Sequence, residues 1–135
     1  MYEVLLPVDE SDERATAQAT AITDLPGDAD EIHVTIFHSF TDNPSGASVS
    51  QLQSARRARD VLEEAGIEYT MDESSGQPAT EILDVAEELD ADLVCLGGRK
   101  RSPAGKVLFG SVTQSVLLDT DRSVLIAHTD EEDED

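Results

Sequence analysis

Residues 97–113 read Gly-Gly-Arg-Lys-Arg-Ser-Pro-Ala-Gly-Lys-Val-Leu-Phe-Gly-Ser-Val-Thr. Four of the chain's nine Lys and Arg residues (Arg99, Lys100, Arg101 and Lys106) fall in positions 99–106, with no acid among them. An even spread would place about half a cation in such a window, so the clustering calls for a cause. Gly97, Gly98, Gly105 and Gly110 punctuate the same stretch and let backbone approach a ligand closely. Gly110-Ser111-Val112-Thr113 then opens a helix. That opening presents free N–H groups, two hydroxyls and the positive end of a helix dipole, the chemistry that holds phosphate. The plain alternative is that these cations neutralise nearby acids and the glycines only turn the chain.

The pattern is not a Walker A loop: Gly98 to Gly105 encloses six residues instead of four, and Val107 follows Lys106. It is not a dinucleotide fingerprint either, because the turn Asp9-Glu10-Ser11-Asp12 contains no glycine. Ser111 has no His–acid partner in sequence to make it a nucleophile. Asp9 beside Glu10 could touch a ligand or hold Mg2+ at a strand end, or Asp9 could simply cap a helix. Cys95 lies in an apolar run and reads as core. His33, His38 and His128 share no ligand spacing, which argues against zinc. Arg56, Arg57 and Arg59 read as a solvated or salt-bridged helix face.

Five apolar runs must position these groups. Val4 to Val8 is nearly continuous, as in a strand buried on both faces. Ser11 caps the helix that follows, with Asp12 and Glu13 in its first turn, and Pro26-Gly27 ends it after about Leu25. The second strand spans Glu31 to His38, and Thr41 to Ala47 is a polar loop. A second helix carries Leu52, Ala55, Arg59, Leu62 and Ala65 on one stripe and stops at Gly66. Ile67 to Met71 is the third strand, and Pro78 starts a third helix with Ala79, Ile82, Leu83, Ala86 and Leu89 inward. Leu93 to Leu96 is the fourth strand, stopped by Gly97-Gly98; Ser111 caps a short fourth helix, and Ser123 to Ala127 is the fifth strand. This alternation predicts a single-domain α/β fold, an open parallel five-stranded sheet with helices on both faces. Ligands of such sheets bind beyond the strands' carboxyl ends, here after Val8, His38 and Leu96.

Composition narrows the function further. Thirty acids against nine Lys and Arg give a net charge of −21, which repels nucleic acid and anionic membrane surfaces. No apolar run reaches the ~20 residues of a membrane span. One cysteine excludes an internal disulfide and a cysteine-cluster metal site, so a reduced cytoplasm is the expected compartment. High acid content with only two lysines reads as adaptation to a salty cytoplasm. Residues 1–128 are expected to form one domain, and 129–135, acidic from Asp130 on, a disordered tail.

The segments Leu6-Pro7-Val8-Asp9-Glu10-Ser11, His38 closing the second strand, and Gly97…Gly110-Ser111-Val112-Thr113 resemble the universal stress protein family over about residues 2–128. ATP-binding members carry a loop Gly-x2-Gly-x9-Gly-Ser/Thr, and Gly97, Gly110 and Ser111 fall on its first glycine, last glycine and hydroxyl. Lys100 stands at the second glycine. The resemblance implies strand order 3-2-1-4-5 and a cleft that binds ATP, with or without Mg2+. Pro7 and Val8 then lie near the adenine, Ser39 beside the base and Asp9 by the ribose. Gly110, Ser111, Val112 and Thr113 donate to the phosphates, Ser111 and Thr113 through hydroxyls as well, and Leu96, Gly97, Gly98 and Lys100 belong to the same site. It also implies a non-catalytic stress-response protein and a homodimer through strand five; Val124-Leu125-Ile126 is an edge too apolar to leave bare. Two alternatives stay open: a member that has lost its nucleotide, for which Lys100 speaks, and a phospho-accepting receiver domain. The receiver has Asp9-Glu10 and Asp72 but lacks a hydroxyl after strand four and a lysine after strand five.

Overall fold

The computed structural model describes residues 1–41, 46–100 and 107–129. Strand β1 (Tyr2–Pro7) is followed by helix α1 (Asp12–Thr23), β2 (Ile32–Phe40), α2 (Gln53–Glu64) and β3 (Glu68–Ser75). Then come α3 (Pro78–Glu88), β4 (Leu93–Lys100), a two-residue β5 (Val107–Leu108), α4 (Ser111–Asp119) and β6 (Ser123–Thr129). Five strands run parallel in the order β3-β2-β1-β4-β6, and β5 pairs antiparallel with the end of β4. Counting the parallel strands alone, this is the expected 3-2-1-4-5 order.

Alternation along the strands divides the core into two layers. Val4, Leu6, Val34, Ile36 and Cys95 face α1 and α2, where Ala15, Ala19, Ile22, Ala58 and Leu62 meet them. Leu5, Phe37, Val94 and Leu96 face the other way, against Ile82, Val85 and Ala86 of α3 and Val116 of α4. Both faces of β1 are therefore buried, as its continuous apolar run requires.

Local signals account for most of the ends. The Ser11 hydroxyl accepts from the Arg14 N–H at 3.2 Å, and Asp12 and Glu13 occupy the first turn of α1. Pro78 sits in the first turn of α3, and Gly66, at φ +76°, carries the chain out of α2.

Several details differ from expectation, among them β2, which continues past His38 to Phe40. Gly97-Gly98 do not stop β4, which continues to Lys100 because Arg99 and Lys100 pair with Leu108 and Val107 of β5. Gly110, not Ser111, is the N-cap of α4. Strand β3 runs to Ser75, so Asp72 lies inside it rather than at its end, which removes a third element of the receiver pattern. Arg59 is off the buried stripe of α2, which consists of Ser54, Ala55, Ala58 and Leu62; its guanidinium pairs with Asp60 at 2.9 Å. Finally, β6 includes Thr129. The loop positions 42–45, the cationic positions 101–106 and the acidic positions 130–135 lie outside the described residues.

Cys95 tests the packing between β4 and α1. Its side chain is fully buried, its thiol contacts the Gln18 carbonyl oxygen at 3.5 Å, and burial pushes its pKa up to about 12. The native thiol should ignore Ellman's reagent at pH 8 and react fully in denaturant. An unfolded thiol loses its proton near pH 9 while the native one keeps it, so Cys95 contributes stability that is lost as pH rises from about 9 toward 12. Rapid labelling of the native protein would contradict this packing.

Candidate functional site

Strands β1 and β4 are paired at only two register positions, Val4–Leu93 and Leu5–Val94. Beyond them the strands part, β1 toward β2 and β4 toward β6, and a cleft of about 330 Å³ opens at their carboxyl ends. This is the reversal point of a doubly wound sheet. β1 and its continuation supply Pro7, Val8 and Asp9; β2 supplies Ser39; β4 supplies Leu96, Gly97 and Gly98; the start of α4 supplies Gly110, Ser111, Val112 and Thr113. All the expected site residues except Lys100 thus line one cleft. Lys100 lies two positions beyond Gly98, where its backbone pairs with Val107.

The helix end is open. The first intrahelical bond runs from the Gln114 N–H to the Gly110 carbonyl at 3.0 Å, and no side chain caps the helix. The N–H groups of Ser111, Val112 and Thr113 therefore have no intrahelical acceptor, and all three residues line the cleft. They carry the partial positive charge of a helix N-terminus. Gly110 has φ −69°, an ordinary value, and a Cβ there would meet nothing within 4 Å among the described residues. The Thr113 hydroxyl is not held ready for a phosphate: it donates to the Gly97 carbonyl at 3.1 Å and ties α4 to β4.

The opposite wall is built on β1 and β2. The Val8 N–H donates to the Phe37 carbonyl at 2.8 Å, and a ring nitrogen of His38 (Nδ1) bonds the Val8 carbonyl at 2.7 Å. The Ser39 hydroxyl donates to the Gly76 carbonyl at 3.2 Å. The buried Ser54 hydroxyl of α2 donates to the Asp9 carbonyl and holds the turn after β1. One Asp9 carboxylate oxygen accepts from the Ser11 N–H at 2.8 Å; the other takes both Nε and a terminal nitrogen of Arg14 at 3.0 Å.

Sequence reasoning missed Arg14 and Gln18 of α1, Phe37 of β2, and Pro78 and Ile82 of α3, and it weighed His38 only as a strand end and a metal ligand. One signal was available. Gln18 falls on the buried stripe Ala15, Ala19, Ile22, where a polar residue needs a partner, and Arg14 lies four residues before it on the same face. Elsewhere, Asp28, Asp30 and Glu31 bring three exposed carboxylates within 4.8 Å of one another ahead of β2, at the amino end of the sheet and away from the cleft. His33 is at that end too, between Glu3 at 2.9 Å and Thr70 at 2.8 Å. No helix among the described residues is long and apolar enough to cross a membrane. The cleft can therefore take an anion at its α4 end beside an apolar floor of Val8, Phe37, Ile82 and Leu96.

The chain is similar to known proteins over most of its length. A universal stress protein of Methanocaldococcus jannaschii is 26% identical over 136 aligned positions, covering 92% of this chain and 80% of that one. A second, from Mycolicibacterium smegmatis, is 38% identical over 65 residues, which are 47% of this chain and 50% of that protein, so the match spans half of that relative's length. A solved structure of a universal stress protein in complex with cAMP has a TM-score of 0.72 and 26% identity, covering 95% of this chain and 97% of that one. The sequence model of the universal stress protein family matches residues 1–128. That span takes in every parallel strand but for the last residue of β6, and both walls of the cleft, and the chain accordingly belongs to the universal stress protein family.

Proposed function

We propose that the cleft binds an adenine nucleotide, ATP with or without Mg2+, and that the protein is a dimeric stress-response regulator rather than a turnover enzyme. The observation that carries the reading is the uncapped start of α4, three N–H groups opening into a cleft of about 330 Å³. The relative solved in complex with cAMP supports adenine as the base. On this reading the base lies against Pro7, Val8 and Ser39, the ribose beside Asp9, and the phosphates at Gly110 to Thr113. Leu96, Gly97 and Gly98 line the way between them, and Lys100, implied by the family pattern, stands two positions beyond Gly98.

Charge decides how the phosphates are held. An exterior of net charge −21 opposes a polyanion at long range. At ~1 M salt the screening length falls to about 3 Å, which removes that repulsion and any long-range attraction alike. Short hydrogen bonds at the helix end survive such screening, in keeping with a protein adapted to a salty cytoplasm. Catalysis is not part of the proposal. Asp9 is the cleft's carboxylate among the described residues, and with both oxygens engaged by Ser11 and Arg14 it is a poor general base.

The homodimer is assigned to β6, over Ser123–Ala127. Among the described residues its paired edge faces β4, and Val124, Leu125 and Ile126 are only partly buried. Leu118 and Phe109 add exposed apolar surface on and just before α4, at 74% and 41%. A second reading, a dimeric interaction module without nucleotide, is favoured by one feature, Lys100 at the family's second glycine position.

Calorimetric titration with ATP in molar KCl separates the two readings. Wild-type protein should bind, and Gly110→Val should fold normally yet bind at least about tenfold more weakly. An absence of heat from the wild type, or equal affinity for the variant, refutes the nucleotide reading. Sedimentation in the same buffer should give a dimer that Ile126→Lys converts to monomer; a monomeric wild type removes the β6 assignment. The melting temperature should rise between 0.1 and 2 M KCl as screening relieves self-repulsion, about 10 Å of Debye length shrinking to 3 Å or less. A flat or falling curve argues against salt adaptation.

A further inference from the structure

Gln18 is 3% exposed on the buried face of α1, at the point where β1 and β4 separate. Its amide nitrogen donates to the Pro7 carbonyl at 2.7 Å and to the Cys95 carbonyl at 3.0 Å. An amide carries two hydrogens, and both are spent on these strand ends. Turning the group over would set its oxygen against two carbonyl oxygens, so the network fixes which way Oε1 points. That direction is toward the cleft beneath Gly97, where an added Cβ would lie 3.3 Å from Oε1. Among the described residues no donor is bonded to it.

Oε1 is not sealed from solvent; it opens on the cleft, where a donor carried by a ligand can replace water. An oxygen with lone pairs repels phosphate oxygens and calls for a hydroxyl or amine donor, and the Arg14 guanidinium that lines the same wall is drawn to the Asp9 carboxylate at 3.0 Å. Asp9, a second acceptor, stands at the same strand end. We infer that Gln18 reads the sugar: its Oε1 accepts one ribose hydroxyl while Asp9 takes the other, making the cleft selective for ribonucleotides over deoxyribonucleotides. This rests on the nucleotide reading above. It is the vicinal diol, lying between base and phosphates, that offers one donor to each of these two acceptors.

The test is calorimetry on the full chain with ATP and its 2′-deoxy, 3′-deoxy and 2′,3′-dideoxy analogues. Wild type should bind both monodeoxy analogues more weakly than ATP, the one lacking the Gln18-bound hydroxyl by about tenfold, and Gln18→Met should bind ATP and that analogue alike. Because Gln18→Met also strips two carbonyls of their donor, a spectroscopic reading accompanies it. The 13C shift of the wild-type Gln18 carboxamide should move on addition of ATP and stay in place with the dideoxy analogue. Equal wild-type affinity for all four ligands overturns the sugar assignment alone, as does discrimination against both monodeoxy analogues that persists in Gln18→Met, or a carboxamide shift that answers both ATP and the dideoxy analogue. Failure of all four to bind overturns the nucleotide reading and this inference together.

Discussion

The parting of β1 from β4 is the constraint on which the rest of this structure depends. Two parallel strands that separate after two paired positions expose main-chain carbonyls in the middle of a sheet. Such groups are costly to bury without partners. The Gln18 amide answers two of them, at Pro7 and Cys95, and so holds the strands at a separation that is neither closed nor filled. The cleft exists because one polar side chain from α1 occupies the split from beneath. Its walls follow from the same division: β1 leads to Asp9 and α1, β4 leads through Gly97 to α4.

The two ends of the cleft differ in kind. At the α4 end the protein offers donors, the N–H groups of Ser111, Val112 and Thr113. At the split it offers acceptors, the Gln18 oxygen and the Asp9 carboxylate, and along the floor it offers apolar side chains. An anion, a hydroxylated linker and a flat apolar group arranged in that order would satisfy each region. Short-range complementarity of this sort suits a protein whose net charge of −21 cannot attract an anion from a distance.

How much of this was readable from sequence depended on whether the signal was local. The run Val4 to Val8 announced a strand covered on both faces, and the layers around Leu5 and Leu6 agree. Ser11, Gly66 and Pro78 marked their helix ends because caps and turns act over a few residues. The extension of β4 past Gly97-Gly98 was not readable, since it depends on pairing with Val107 and Leu108 across an intervening segment. β3 likewise outran its apolar pattern: Asp72 to Ser75 pair with Phe37 to Phe40 although their side chains give no alternation of burial that sequence could reveal. Most of the cleft was legible from the three loop positions and the family pattern. Gln18 and Arg14 were legible only as polar residues on or near a buried stripe; their place at the cleft was not, because it depends on a gap between strands that meet only in three dimensions.

Three glycines show why residue type alone could not assign their roles. Gly66 is required by its own backbone, at φ +76°, with open space around it. Gly97 has no such demand, but a side chain there would press on the Gln18 oxygen at 3.3 Å and on Arg14 Cδ at 3.5 Å, the groups that shape the split. Gly110 meets neither condition: its φ is ordinary and, among the described residues, an added Cβ touches nothing. The described residues therefore place no packing or backbone demand for glycine at 110. What remains is the space in front of the three open N–H groups, which a side chain at that position would crowd, and a phosphate approaching those groups needs that space clear.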